Sequence, residues 1–214
     1  MSRTSVAAAI LAGGQARRLG GAVKSLLMIE GTRIIDRQLE ALRQVADPIV
    51  IVAADSAPFA PLGLDTLPDI VPGCGPLGGI YTALTHSSQP RTLVVAGDMP
   101  CLPPALLARL VLPSDADVVV PRSARGYEPL CAVYAARCAE PIRQRLARGT
   151  WRVTELLDGV RVEEIGPEML AVCDPRGLLS LNVNTPHDYE RALEVIARMS
   201  AEPAERITDN QSSS

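Results

Sequence analysis

The sequence predicts an α/β fold with three layers, in which helices cover both faces of a mostly parallel β-sheet. Two observations support this fold. Short apolar segments, such as residues 6–11 and 49–53, have the length and composition of strands buried on both faces. Segments with apolar residues at helical spacing lie between them, which is the pattern of βαβ units. The chain has 214 residues and 47% hydrophobic residues, enough for one core. We therefore expect a single domain over residues 1–199 and a disordered tail over 200–214.

The first half of the chain provides most of the expected parallel sheet. Besides the two apolar segments named above, residues 91–98 and 117–121 are apolar and predict strands, and residues 64–69 predict a short strand. Helices are expected over residues 34–45, from just after Pro76, and over "PPALLARLVL". Because ligands of such sheets bind at the carboxyl ends of the strands, the residues that follow each strand are the candidates for function.

The second half is less regular. Residues 128–134 predict a strand and residues 135–148 a helix that Gly149 ends. In "LLSLNVNTPHDYERAL" we expect a strand, then a polar turn, then a helix that Thr185 and Pro186 open. Asp188 at the third helical position is typical of a helix cap.

Composition excludes several classes of protein. A net charge of −3 gives no indication of a nucleic-acid partner or a basic membrane anchor. No segment reaches the roughly 20 apolar residues that span a bilayer, and the N-terminus is a poor signal peptide. The five cysteines are widely spaced and odd in number, which favours reduced thiols in a cytoplasmic protein.

A glycine-rich, basic loop follows the first strand. In "LAGGQARRLGGAVK" the glycines let backbone N–H groups approach a ligand, and successive N–H groups form an anion-binding concavity. Arg18 and Lys24 can add positive charge against a polyphosphate. The loop contains no Gly-Lys pair and no G-x-G-x-x-G, so neither a Walker loop nor a dinucleotide fingerprint is present.

Two acidic residues follow strands of the same sheet. Asp98 comes directly after the strand "RTLVVAG", where it is either a helix cap or a ligand of Mg²⁺, which prefers carboxylate oxygens. Asp69 lies in the loop "LPDIVPGCGPLGG", where it forms a turn or contacts the ligand.

The chain resembles the molybdenum cofactor guanylyltransferase (MobA-like) family of nucleotidyltransferases. The motifs that carry the resemblance cover residues 6–197 and stand in the family's order: "LAGGQARRLGG", "GPLGGIYTAL", "VVAGDMPCLPPALLARL", "EPLCAVY" and "LNVNTPHDYERAL". The resemblance implies a Rossmann-like nucleotidyltransferase fold. It also implies an Mg²⁺-dependent transfer of GMP from GTP to molybdopterin-bound molybdenum cofactor, with release of pyrophosphate.

The resemblance also assigns roles to residues. Lys24, Arg18, Asp98 and Asn184 are the expected catalytic residues, and Asp98 is the expected metal ligand. Asn182 and Asn184, which could also be simple turn residues, are expected to bind the acceptor. Contacts with GTP are expected from the loop and from the two acids; the residues are Leu11, Ala12, Gly13, Gly14, Lys24, Asp69 and Asp98. The expected protein partners are transient ones, namely proteins that insert or receive the cofactor.

The sequence departs from the family pattern at two positions. Val23 replaces the aspartate that commonly precedes the loop lysine, and Ala53 replaces an asparagine often found near the base. Because of Ala53, CTP is also a candidate substrate. The motifs are also compatible with a sugar-phosphate nucleotidyltransferase, although chains of that class usually continue beyond this length. A nucleotide-binding regulatory protein without turnover is the non-catalytic interpretation of the same residues.

Overall fold

The computed structural model of the chain describes residues 6–13, 15–16 and 22–201. Strand β1 (Val6–Leu11) lies in the middle of the main sheet. It pairs in parallel with β2 (Ile49–Val52) on one side and β4 (Arg91–Ala96) on the other. The short strand β3 (Thr66–Leu67) continues the parallel part beyond β2. The predictions for Gly14, Arg18 and residues 202–214 lie outside the described residues. Residues 200 and 201 of the expected disordered tail are instead the last two residues of a helix, Pro186–Ala201.

The other side of the sheet contains both strand directions. Strand β7 (Cys131–Ala135) is antiparallel to both β4 and β5 (Val118–Ser123). β5 continues into a hairpin with β6 (Gly126–Tyr127) and pairs in parallel with β8 (Val162–Ile165). Across the sheet the strand order is β6-β5-β7-β4-β1-β2-β3, with β8 beside β5.

Helices lie against both faces of this sheet, as predicted. Side chains of the central strands alternate between two cores: Leu93 and Val95 belong to one, and Val94 between them belongs to the other. The described helices are α1 (Ile34–Leu42), α2 (Gly75–His86), α3 (Pro104–Leu110), α4 (Ala139–Ala147), α5 (Val153–Leu157), α6 (Pro167–Cys173) and α7 (Pro186–Ala201). Helices α1 and α3 contribute to the first core, and α2, α4 and α5 to the second. The predicted three-layer α/β fold is confirmed.

Shorter elements connect these layers. Residues 15–16 pair with 22–23, and Met28–Ile29 pair with Thr32–Arg33. Single 3₁₀ turns occupy Lys24–Leu26, Ala136–Cys138 and Leu178–Ser180, and a longer 3₁₀ helix occupies Ala57–Leu62. The turn at Ala136–Cys138 takes the first part of the helix predicted over residues 135–148, so α4 begins at Ala139. Gly149 follows the helix with a φ of +72°, the conformation expected of a glycine that ends a helix.

The strand predicted within "LLSLNVN" is wrong. Leu178 and Leu179 are buried, but they belong to a 3₁₀ turn. Their backbone N–H groups donate to the two carboxylate oxygens of Asp174, each at 2.8 Å. A buried carboxylate therefore satisfies the groups that a strand partner would have satisfied, and the apolar run does not join the sheet.

Two further features concern the membrane and the cysteines. Within the described ranges, no helix has both the length and the apolar character needed to cross a bilayer. All five cysteines are free thiols. Burial raises the pKa of Cys131 to about 12 and that of Cys138 to about 11, so neither of these thiols is suited to act as a nucleophile.

Candidate active site

The carboxyl ends of β1 and β4 form the base of the site. In the parallel register Leu11 lies beside Ala96, so the residues after the two strands, Ala12 and Gly97, are neighbours. The Gly97 N–H donates to the Leu11 carbonyl at 2.9 Å. The glycine loop and the Asp98 turn therefore start from the same point of the sheet edge.

A cleft of about 300 Å³ opens above this edge. It contains backbone of the loop after β1, the ends of β2 and β4, and the start of α2. The lining residues are Leu11, Ala12, Gly13, Lys24, Ser25, Val52, Asp69, Gly75, Pro76, Gly79, Ala96, Gly97, Asp98 and Leu130. Of the residues expected to bind the nucleotide, all that the structure describes line this cleft.

Lys24 connects the two sides of the cleft. The short ladder of residues 15–16 with 22–23 returns the chain to the sheet edge, where Lys24 starts a 3₁₀ turn. Its Nζ lies 3.3 Å from Asp98 Oδ2, and it also donates to Asn184 Oδ1. The Lys24 and Asp98 side chains are only 15% and 21% exposed, so water screens this ion pair less than a fully exposed one.

The turn that carries Asn184 is attached directly to the Asp98 turn. The Val183 N–H donates to the Asp98 carbonyl at 2.8 Å. The N–H groups of Asn184 and Thr185 donate to Asp188 Oδ2, and the Asp188 N–H donates to Thr185 Oγ1. These bonds form the predicted cap at the start of α7, and the Thr185 hydroxyl is the main cause that lowers the pKa of Asp188.

Asn182 is separated from the Lys24–Asp98–Asn184 cluster. It does not line the cleft that contains Lys24 and Asp98 but borders a second cavity, of about 170 Å³, which Asn184 also borders. Asn182 Oδ1 is buried, and no described residue forms a hydrogen bond with it. Of the two asparagines expected to bind the acceptor, Asn184 contacts Lys24 and Asn182 borders the neighbouring cavity.

The backbone around Gly97 leaves no room for a side chain. A Cβ at Gly97 would lie 3.0 Å from the Leu11 carbonyl oxygen and 3.1 Å from Ala12 Cα. A Cβ at Gly79, on α2, would lie 3.1 Å from a methyl group of Leu11. Glycine at these two positions allows the Asp98 turn and α2 to approach the loop after β1 closely.

Gln38 stabilises the turn that contains Asp98. This residue of α1 is fully buried, and its Nε2 donates to the carbonyls of Ala96 and Met99 at 2.7 and 2.9 Å. The two carbonyls stand on either side of Gly97 and Asp98, so Gln38 fixes both ends of the turn. The sequence interpretation missed Gln38, although a polar residue among the inward-facing Ile34, Ile35 and Leu39 was a signal for it.

Ser25 was also missed. It lines the cleft next to Lys24, it is 1% exposed, and its hydroxyl oxygen has no hydrogen-bond partner among the described residues. No sequence pattern distinguishes a buried serine at this position from an exposed one.

Asp69 lies at the far wall of the cleft. The N–H of the next residue, Ile70, donates to Thr82 Oγ1 at 2.9 Å, and this hydroxyl donates to the Gly78 carbonyl. Helix α2 thus holds the loop in place. Asp69 Oδ1 is buried and has no hydrogen-bond partner in the part of the chain that the structure describes, and burial raises the pKa of the carboxyl. A carboxylate left without a partner in the free protein is available to a ligand.

We expect Asp69→Asn to stabilise the free protein at pH 7.5 by up to about 1 kcal/mol, because a partly buried carboxylate with one unpaired, buried oxygen is destabilising. The folded-state pKa is raised, so the parent gains stability as its carboxyl is protonated. The advantage of the variant should therefore shrink as the pH falls toward about 4. Thermal unfolding of both proteins between these pH values measures the difference. A difference that stays constant with pH would contradict the assignment to Asp69.

The fold and the cleft define the class of this protein. A glycine loop, a lysine and an acid meet at the carboxyl edge of a parallel sheet, as in an enzyme that binds a nucleoside triphosphate and transfers part of it. The family model described as "MobA-like NTP transferase domain" matches residues 8–162. The chain belongs to this family of nucleotidyltransferases.

Relatives cover nearly the whole chain. It is 34% identical to the molybdenum cofactor guanylyltransferase of Desulfosudis oleivorans, over 88% of this chain and 94% of that protein. It is 35% identical to the probable molybdenum cofactor guanylyltransferase of Pelotomaculum thermopropionicum, over 86% and 89%. A solved structure, molybdopterin-guanine dinucleotide biosynthesis protein A from Archaeoglobus fulgidus, has 29% identity and a TM-score of 0.77, and the match covers 90% of this chain and 99% of that one.

Proposed function

We propose that this nucleotidyltransferase moves GMP from GTP to the terminal phosphate of molybdenum-bound molybdopterin and releases pyrophosphate. The observation that carries the proposal is the contact of Lys24 with both Asp98 and Asn184 at the rim of the cleft. The names of the relatives, which refer to guanylyl transfer and the molybdenum cofactor, support this choice of substrates.

The reaction requires no nucleophile from the protein. An oxygen of the acceptor phosphate forms a bond to the α-phosphorus of GTP. The bond from that phosphorus to the bridging oxygen breaks, and pyrophosphate leaves with the electron pair. Catalysis then depends on positioning and on neutralisation of charge. Backbone of Leu11, Ala12 and Gly13 binds the nucleotide in this proposal, and Lys24 offsets the negative charge that develops on the leaving group.

We assign Mg²⁺ to Asp98. Lys24 forms an ion pair with one of the two Asp98 carboxylate oxygens, Oδ2. The other oxygen accepts no hydrogen bond from the described residues. Asp69 adds a second carboxylate to the same cleft. In the described ranges no group of three or more acidic, histidine or cysteine side chains could hold a metal. Proteins usually bind Mg²⁺, however, through only one or two carboxylates, and phosphate oxygens of the substrate supply further ligands. The bound ion would neutralise phosphate charge.

The base preference depends on the wall of the cleft near β2. Val52 lines the cleft, and Ala53, which replaces the asparagine often found in the family, is buried and donates its N–H to Leu67. Ala53 offers no side-chain hydrogen bond to a base. A cytidylyltransferase acting on the same acceptor is therefore the second candidate. The transient contacts with insertion or target proteins remain a prediction.

The test is thermal unfolding with each of the four NTPs in the presence of Mg²⁺, followed by a product assay with the acceptor. We expect GTP to raise the melting temperature more than CTP, ATP or UTP. At 100 times Kd, binding adds about 2.7 kcal/mol to stability, which is readily measured. Stronger stabilisation by CTP, together with formation of a cytidine dinucleotide, would replace the guanylyl assignment with the cytidylyl one.

A further inference from the structure

The turn that carries Asp98 follows directly after β4. Its own hydrogen bond, from the Met99 N–H to the Ala96 carbonyl, measures 3.4 Å. An ordinary backbone hydrogen bond measures about 2.9–3.0 Å, so the backbone alone closes this turn only weakly. The position of the Asp98 carboxylate in the cleft therefore depends on what else holds the two ends of the turn together.

The carboxamide of Gln38 joins these two ends. Its Nε2 donates to the Ala96 carbonyl at 2.7 Å and to the Met99 carbonyl at 2.9 Å, so a single NH₂ group spans the turn. Gln38 is fully buried among the apolar residues of α1. Because the site is buried, water does not compete for these two bonds, and they are stronger than the same bonds at a surface.

The orientation of this carboxamide is determined by its partners. Rotation by 180° would place Gln38 Oε1 against two carbonyl oxygens, and all three of these atoms are acceptors. In the observed orientation Oε1 is buried and has no partner among the residues that the structure describes. A buried acceptor without a partner is destabilising, and such a cost is expected where a contact serves function rather than stability.

We propose that Gln38 is a positioning residue, which holds the turn so that the Asp98 carboxylate can bind the divalent ion that accompanies the nucleotide. The inference rests on the proposed function. Mg²⁺ requires nearly ideal octahedral geometry, with ligands at about 2.0–2.1 Å, so a carboxylate on a loosened turn is a poorer ligand. The ion pair with Lys24 tolerates the same movement, because the lysine side chain is long and flexible.

The first experiment measures, by calorimetry, the binding of the α,β-methylene analogue of GTP in Mg²⁺ and in EDTA. The ratio of the two affinities is the metal-dependent gain. Gln38→Met keeps a similar side-chain volume and removes both donors. We expect it to lower the gain about tenfold, since loss of a group that orients a metal ligand typically costs about 10–100-fold. The affinity in EDTA should stay within about twofold of the parent, because the contacts of the loop after β1 are kept.

Gln144→Met is the matched control, because it makes the same change at an exposed glutamine of α4 whose Nε2 donates to Glu140. It should keep the metal-dependent gain of the parent. Cooperative thermal unfolding shows that each variant is folded. If Gln38→Met fails this check, Gln38→Asn takes its place, because it keeps the carboxamide and shortens the side chain by one methylene. If Gln38 only stabilised the fold, both affinities would fall in parallel, and this result would overturn the proposal.

A double-mutant cycle with Asp98→Ala tests whether Gln38 acts through Asp98. Asp98→Ala alone should remove most of the metal-dependent gain. Adding Gln38→Met to that variant should change the remaining gain by less than about twofold. A further loss of about tenfold in the Asp98→Ala background would show that Gln38 does not act through this carboxylate.

An assay of GMP transfer to the acceptor separates the positioning role from the proposed function. If the metal-dependent gain falls in Gln38→Met but the parent transfers no GMP, the positioning role stands and the proposed function fails. If the parent transfers GMP and Gln38→Met keeps the gain of the parent, the positioning role fails alone. A parent that binds only the CTP analogue contradicts the guanylyl assignment, and the same cycle with that analogue then tests Gln38.

Discussion

Replacing Asp98 with alanine should lower kcat by about 10³-fold or more, since removal of one preorganised charged group from an active site costs 10²–10³-fold and Asp98 has two roles in the proposed site. In the proposal it holds the divalent ion, and in the structure it accepts a hydrogen bond from Lys24. The assay is the formation of the guanine dinucleotide from GTP and acceptor at saturating Mg²⁺.

The same variant should remain folded. The contacts that hold the Asp98 turn involve backbone groups: its carbonyl accepts from Val183, and the flanking carbonyls of Ala96 and Met99 accept from Gln38. Alanine keeps all of them. The melting temperature of the free variant should therefore stay within a few degrees of the parent.

Asp158→Ala is the matched control for this change, because it removes an exposed aspartate at the end of α5 that does not line the cleft. It should keep the parent rate. Asp98→Asn adds a second comparison, since it keeps the shape of the side chain and removes its charge. Product formation by Asp98→Ala at the parent rate would show that the metal is not bound at this residue.

The sequence was sufficient to predict the parallel half of the sheet. The segments around Val6–Leu11 and Ile49–Val52 are continuously apolar because both faces of these strands are buried, and this property is local. The apolar run at Leu178–Leu179 looked similar but forms a 3₁₀ turn. The carboxylate of Asp174 determines this conformation, because it accepts hydrogen bonds from both leucine N–H groups. A pattern of apolar residues does not reveal such a partner.

The site was predictable in part. The parallel topology places the residue after β4, Asp98, beside the loop that follows β1, and the sequence placed Lys24 in that loop; the ladder of residues 15–16 with 22–23 that returns Lys24 to the sheet edge was not predicted. The contact between Lys24 and Asn184 spans 160 residues and depends on the bond between Val183 and the Asp98 carbonyl, which no periodicity indicates. Gln38 was missed for the same reason: its role comes from tertiary packing.

Replacing Lys24 with alanine should lower kcat/KM for GTP by about 10²–10³-fold, because a cation that offsets phosphate charge acts most strongly in the transition state. The loss should exceed that of Asn184→Ala, since in the proposed site Asn184 positions the amine and Lys24 itself contacts the nucleotide. Arg43→Ala, which removes an exposed positive charge outside the cleft, is the control for the change in net charge. Steady-state kinetics on the three variants measures this order.

The composition of the chain allows a direct test of the same contact. Lys24 is the single lysine in the sequence, because the other 20 of its 21 lysines and arginines are arginines. Reductive methylation with ¹³C-formaldehyde, which keeps the positive charge, therefore labels Lys24 and the N-terminal amine alone. The Lys24 signal is assigned as the one that disappears in Lys24→Ala.

GTP with Mg²⁺ should shift the Lys24 signal and leave that of the terminal amine in place. In the free protein the amine lies between a carboxylate and a carboxamide oxygen, and phosphate oxygens would replace at least one of them. Guanosine, which lacks phosphates, should leave the Lys24 signal nearly unchanged at concentrations that fill the base site. If saturating GTP also left it unchanged, the lysine would not contact the phosphates, and its effect on the rate would have to act through Asp98 and Asn184.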